Sequence, residues 1–419
     1  MNRKTNPDYI NRTVVITGIG MISPLGISAP QCWEAGNAGK SGIRSITKFD
    51  AGACKTQIGG QLPDAYFEVE ASRIPKRMFK QTTLLSRLTR ICAEEAIKNS
   101  HLDFDGIDLE RVGVIIGASG ACVVSMEDIE QKEVDKFTII REMINAIPAR
   151  ISLEFGFKGP SYTLSASSES GLCAIAKAYD LIRTGCAEVV VSGGADTLLS
   201  RNFIDYFNSL DMLSTNNKIP EQAVQPFDRL RKGFVLSDGA AVVVLESLEH
   251  ALQRGARIYA QMEGYWASWI PSVTSVSMAD TMSRALETSR LLPEDIGYIA
   301  ANGTATIDND RMESQAIQTV FGDRSVTLPI SSLKSMIGHT MGASGAIQFA
   351  FTAMMLYYEK ILPTINYSNP DPECCLNYVP NHAISSPGLN AALVNSFGFK
   401  GHQYVLVLIR NPESVSNFR

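Results

Sequence analysis

The chain has no C-x-x-C pair among its eight cysteines, Cys32, Cys54, Cys92, Cys122, Cys173, Cys186, Cys374 and Cys375, and their spacing is irregular. That speaks against a zinc site, or any metal site, and against a disulfide framework. Reduced thiols in a cytoplasmic protein are the simpler expectation. There is no excess of basic charge either: 38 Lys+Arg stand against 43 Asp+Glu, a net charge of -5. A nucleic acid or an anionic membrane would find no global field to bind. The opening stretch MNRKTNPDYINRT lacks an apolar signal core, and no apolar run approaches the ~20 residues of a membrane helix. What remains is 419 residues, 45% hydrophobic and 19% charged, enough for a large core in one big domain or two fused ones.

The pattern alternates buried strands with helices. Thr13-Val-Val-Ile-Thr-Gly-Ile-Gly crowds β-branched residues without polar alternation and reads as a buried strand leaving through a glycine turn. Apolar residues at helical spacing predict a long helix over Met78 to Ser100, followed by a strand at Val112-Gly-Val-Ile-Ile-Gly. Tyr162-Thr-Leu-Ser-Ala leads into a helix from about Ser170 to Thr184, and strands follow at Val189-Val-Val-Ser and Ala240-Ala-Val-Val-Val. After about residue 252 the alternation starts again. It runs through helices near 279–291 and 311–321, strands at Tyr298 and Leu328, a helix near 342–358, and strands at Ala392 and Tyr404. Two α/β halves, 1–251 and 252–419, with no linker between them, predict an internal duplication around one shared core.

Four segments place glycines and small polar residues at strand ends, where reactive groups are presented. They are Gly159-Pro-Ser-Tyr-Thr-Leu-Ser-Ala-Ser-Ser-Glu-Ser-Gly, Ala301-Asn-Gly-Thr-Ala-Thr, Lys334-Ser-Met-Ile-Gly-His-Thr-Met-Gly-Ala-Ser-Gly-Ala and Asn395-Ser-Phe-Gly-Phe-Lys-Gly-His. In order and spacing the chain resembles the elongating β-ketoacyl-acyl-carrier-protein synthases from end to end. The resemblance implies a thiolase-like α/β fold of five layers, α-β-α-β-α, and a homodimer. It implies no tightly bound cofactor, with phosphopantetheine delivered on an acyl carrier protein as partner.

Carried over position by position, the resemblance puts Ser168 at the family's nucleophilic cysteine, Asn302 at its first histidine and His339 at its second. Lys334 falls where relatives position the active-site loop, Thr304 and Thr306 where they contact the phosphopantetheine arm, and Phe399 at the gating phenylalanine. Lys400, His402 and Gln403 replace the usual Gly, Thr and Asn of that gate, and Gln348 stands where an acid is common. Arg73, Lys76, Arg77 and Lys80 form a basic cluster at the start of the long helix. A solvated face and a landing site for an acidic carrier protein are about equally good readings of it. His101, His250 and His382 read as solvated surface residues, His402 as a space-filler, and Cys173 as a buried apolar residue.

Serine changes the chemistry. A hydroxyl has no accessible anion at neutral pH and needs an adjacent base, which helix-dipole stabilisation of a few tenths to ~2 kcal/mol does not replace. Decarboxylation of a malonyl thioester needs no nucleophile, only donors aimed at the nascent enolate oxygen in a site with little water. With Asn302 and His339 as those donors, the chain looks like the Cys-to-Ser decarboxylating ketosynthase homologues of polyketide β-branching cassettes, which convert malonyl- to acetyl-carrier protein. Two other readings stand beside it: a synthase or acyltransferase that uses Ser168 as nucleophile, and a silent partner like the chain-length factors.

Overall fold

The computed structural model describes residues 12–120, 136–398 and 400–411. The first half runs β1 (Val14–Ile22), α1 (Leu84–Ser100), β2 (Val112–Gly117), α2 (Ala146–Phe155), β3 (Ser161–Leu164), α3 (Ser170–Arg183), β4 (Val189–Asp196) and β5 (Gly239–Ser247). The second repeats that order as β6 (Ala260–Trp269), α4 (Ser275–Ser289), β7 (Tyr298–Ala300), α5 (Ile307–Phe321), β8 (Ile330–Ser331), α6 (Ser344–Tyr358), β9 (Ala391–Phe397) and β10 (His402–Ile409).

The pairing repeats as well. In the first half the strands lie in the order β1-β5-β4-β2-β3, with β1 and β4 antiparallel to β5 and β2 parallel to β4 and β3. In the second the order is β6-β10-β9-β7-β8 with the same directions in the same places. Antiparallel β1 and β6 join the two into one ten-stranded sheet. This is the internal duplication expected from the sequence, and residue 252 lies in the short helix Leu248–Gln253 between the halves.

The layers follow from which faces are apolar. α1 and α2 pack on the outer face of the first half, and α4 and α5 on that of the second. α3 and α6 lie between the halves in one core built from both. α6 is buried on every side from Ser344 through Leu356, as a central-layer helix must be. Phe349 and Phe351, wholly buried there, contribute about 1.5–3 kcal/mol each. α3 and α6 meet so closely that a Cβ on Gly171 would fall 2.9 Å from the Ala346 Cβ, which explains the small residues at this crossing.

Some boundaries moved. The long helix begins at Leu84, where the Thr83 side chain accepts the Ser86 N–H, not at Met78. Lys76–Phe79 is a separate short helix behind Pro75. α4 and α5 start about one turn earlier than their apolar periodicity suggests, because polar first turns hide the entry. β6, half-exposed along much of its length, was missed. No described helix is long and apolar enough to cross a membrane.

Candidate active site

The loops at the strand ends converge on one cavity of about 460 Å³, whose lining includes Ser168, His339, Thr304, Thr306, Phe397 and Gly398. That volume is in the range of small-molecule sites. Ser168 lies on the connection from β3 to α3, just ahead of the helix. The turn is strained: Ser167 has φ of +56°, a left-handed conformation unfavourable for a residue with a Cβ. Ser170 holds it, its Oγ accepting the Ala166 N–H at 2.9 Å and donating to the Ser167 carbonyl at 2.6 Å.

The Ser168 hydroxyl donates to Glu169 Oε1 at 2.7 Å, and the Ser396 hydroxyl donates to the same oxygen at 3.2 Å. Glu169 is 1% exposed and its Oε2 has no partner. A Cβ on Gly398 would fall 2.1 Å from that oxygen, so a side chain there would force the Glu169 carboxyl to shift. Burial pushes the Glu169 carboxyl up to about 7, against the opposing pull of the two hydroxyls and of Lys334. This carboxyl has no role assigned from the sequence, where Glu169 stands only as one residue of the Gly159–Gly171 segment. The neighbouring Ser-Ser-Glu-Ser run was the available signal.

His339 follows Gly338, whose φ of +72° lets the chain turn. The loop is clamped, the His339 N–H donating to the Val235 carbonyl at 2.8 Å and the Ser237 N–H to the His339 carbonyl at 3.0 Å. On the ring, Nδ1 accepts the Met341 backbone N–H at 3.1 Å, with Ser344 Oγ at 2.9 Å. An amide can only donate, so Nδ1 carries no proton and the neutral ring bears it on Nε2. Burial, reinforced by Lys334, holds the imidazole well below its usual pKa. His339 is thus a neutral donor at a wall of the cavity.

Asn302 is placed differently from expectation. Lys334 Nζ donates to its carbonyl at 2.6 Å and to its Oδ1 at 3.2 Å, while its Nδ2 donates to Asn309 Oδ1 at 2.9 Å and to the Phe397 carbonyl at 3.0 Å. Turning the amide over would set oxygen against the Phe397 carbonyl and NH₂ against the ammonium, so the orientation is fixed by its neighbours. Both amide hydrogens are engaged, and donation to a bound thioester is closed in this arrangement. Asn302 instead anchors the β7–α5 loop together with Glu313, which accepts the Asn302 and Gly303 N–H groups at 2.8 Å.

Lys334 is buried, which lowers its pKa to about 8 while Glu313, Glu169 and Asp310 pull the other way. The Thr304 and Thr306 hydroxyls lie 2.8 Å apart on the cavity wall. Phe399 lies outside the described residues. Gln403 of the altered gate is buried and tied to α4, its Oε1 accepting from Thr281 at 2.7 Å and its Nε2 donating to Ser277 Oγ at 2.9 Å.

The basic cluster is separate from this cavity. Arg73 ends the helix Asp64–Arg73, and Lys76, Arg77 and Lys80 sit on and just after the short helix that follows, all exposed. This corrects their assignment to the start of the long helix. Arg73 and Arg77 border a surface concavity of about 320 Å³ with Arg87, Arg90 and Arg150. Arg87 is paired with Glu70, and Arg90 with Glu94 and Glu154.

A duplicated sheet sandwiching two central helices, with Ser168 at the head of one and His339 just ahead of the other, defines a thiolase-like ketosynthase scaffold. Residues 11–251 match the family described as beta-ketoacyl synthase, N-terminal domain, and residues 258–368 the corresponding C-terminal domain. The chain therefore belongs to the β-ketoacyl synthase family. It is 35% identical to the tetracenomycin polyketide synthase ketoacyl synthase alpha subunit of Streptomyces glaucescens, over 97% of this chain and 99% of that one. It is equally identical to the 3-oxoacyl-[acyl-carrier-protein] synthase 2 of Coxiella burnetii, over 95% and 99%. Among solved structures it resembles a chain from the complex of a type II polyketide synthase acyl carrier protein with its ketosynthase bound to the hexaketide, with TM-score 0.87, 29% identity and coverage of 96% of this chain and 100% of that one. The ishigamide ketosynthase/chain length factor gives TM-score 0.87 and 30% identity with the same coverage.

Proposed function

We propose that this ketosynthase-family protein releases carbon dioxide from a malonyl thioester carried on an acyl carrier protein, giving acetyl-carrier protein for polyketide β-branching. The observation that supports the reading is the neutral His339. Its protonated Nε2 can donate to the thioester oxygen as negative charge develops there, and burial makes that bond count for more than it would in water. Ser168 in place of cysteine removes the acyl acceptor that condensation requires. The paired hydroxyls of Thr304 and Thr306 suit the amides of a phosphopantetheine arm, and the protein acts as a homodimer.

Malonyl-loaded carrier protein incubated with substoichiometric enzyme and followed by intact mass tests this. Conversion to the acetyl species with no mass gain on the enzyme is the expected result, and an unchanged malonyl species overturns the reading. The Ser168–Glu169 contact favours one second reading, in which Glu169 takes the Ser168 proton and the hydroxyl accepts an acyl group. A stable acyl mass on the enzyme, mapping to Ser168, is its signature.

The exposed basic cluster serves in this scheme as the landing site for the acidic carrier. Reversing charge at Lys76 and Arg77 is expected to raise KM for carrier-bound malonate by about tenfold through slower steered encounter. KM for a small malonyl thioester should not move. Steady-state kinetics on the two substrates check this, and an equal response of both removes the docking role.

A further inference from the structure

Loss of carbon dioxide leaves an enolate whose C2 must acquire a proton before an acetyl thioester can leave. In a condensing enzyme the acyl-cysteine traps that carbon; here a hydroxyl occupies the position. Resting on the decarboxylase reading above, we propose that Glu169 and Ser168 form the proton relay that quenches the enolate. Ser168 Oγ–H gives its proton to C2, a C–H bond forms as the Oγ–H bond breaks, and Ser168 takes the proton of the Glu169 carboxyl. Glu169 recovers its proton from solvent.

Three observations converge. Ser168 Oγ and Glu169 Oε1 are 2.7 Å apart. With the carboxyl proton on Oε1 the same contact runs from carboxyl to hydroxyl, leaving the Ser168 O–H free to point into the cavity it lines. Glu169 is buried with one oxygen unpartnered and no cation within ion-pair distance among the described residues, an environment that favours the neutral acid. Burial sets that acid at about 7, where it is part protonated at neutral pH and well matched to proton donation. A thioester enolate is a far stronger base than an alkoxide, so a hydroxyl backed by a carboxylic acid protonates it downhill.

The titratable groups that face Glu169 are Lys334 and Tyr404. Burial takes Lys334 down to about 8 and the Tyr404 phenol well above its usual value. Glu169 is therefore the first of the three to titrate as pH rises, with Lys334 following about a unit higher, so the Glu169 limb is read between about pH 7 and 8. A relay that donates works in the protonated state, so acetyl-carrier formation should be level below about pH 7 and fall tenfold per pH unit above it. A Glu169 that acted as base for a Ser168 nucleophile would give a rate rising through the same window.

The test follows acetyl-carrier formation by intact mass from pH 5.5 to 8.5, with labelled carbon dioxide present to report any return of the enolate to malonyl-carrier protein. For the wild type we expect the falling limb and little label in remaining substrate. For Glu169→Gln we expect the limb to vanish, net product to fall, and label to appear in malonyl-carrier protein, because an unquenched enolate recaptures carbon dioxide. A rising wild-type limb, or Glu169→Gln with the wild-type profile and no label return, overturns the relay while leaving decarboxylation standing. A wild type that releases no carbon dioxide overturns the decarboxylase reading itself, and the relay with it. The wild-type profile needs no variant, so a poorly folding Glu169→Gln does not shelter the proposal.

Discussion

Replacing His339 by alanine is expected to lower kcat for carbon dioxide release from malonyl-carrier protein by about 10²–10³-fold, the range for loss of a single preorganised oxyanion donor. The other donor expected from the sequence, Asn302, has both amide hydrogens bound to Asn309 and Phe397, so its amide does not stand ready to share the load. KM should change little, because the bond strengthens only as charge moves onto the thioester oxygen. His339→Gln carries the sharper form of the prediction. A glutamine that recovers a substantial part of the rate shows that a neutral donor is what the position supplies, whereas a general-acid role for an imidazolium predicts no recovery. The second outcome would also conflict with the Met341 amide donating to Nδ1 and with the buried ring's lowered pKa. Steady-state kinetics with both variants, after their folding is checked by circular dichroism, decide the matter.

Much of the fold was legible because its strands are buried on both faces. Runs such as Val112-Gly-Val-Ile-Ile-Gly announce themselves without partners, and they recur in a repeating order. β6 escaped because it lies half-exposed and carries Gln261, Glu263 and Gly264 among its apolar residues. The candidate positions Ser168, Lys334 and His339 were picked out by resemblance, and the fold brings them together. What spacing does not carry is where each polar atom goes. Asn302 looks like a donor in sequence, yet its hydrogens are consumed by Phe397, far along the chain, and by Asn309. Glu169 has no assigned role in sequence, and the fold buries it beneath Ser396 and Gly398, both from the end of the second half. Burial of a charge is a long-range property, decided by which distant segments close over it, and no local pattern records it.

Gln348 is the position where the same principle yields the largest expected effect on stability. It is buried on α6, and its Nε2 donates to the Ala300 carbonyl at 2.6 Å and the Asn395 carbonyl at 3.2 Å. It thereby ties the central helix to the ends of β7 and β9, the strands that carry the Asn302 loop and Ser396. An ionised acid here would face two carbonyl oxygens with no proton to offer and a protonated one could serve only one of them, so Gln348→Glu loses at least one buried hydrogen bond, each mismatch costing about 1–3 kcal/mol. The introduced carboxyl would be held protonated in the fold, its pKa raised above the unfolded ~4.3. The folded state then binds more protons than the unfolded state between those two pKa values. Stability relative to wild type therefore falls as pH rises, by about 1.4 kcal/mol per unit, until the folded pKa is passed. Urea unfolding of both proteins at pH 5.5, 6.5 and 7.5 measures the difference, and taking variant against wild type removes the common contribution of Glu95, Glu169, Asp196 and Asp310, whose carboxyls burial also raises. The gap should widen steadily across that series. A constant gap would mean that the new carboxylate has found a donor, and so that the Gln348 amide is not what holds Ala300 and Asn395 in register.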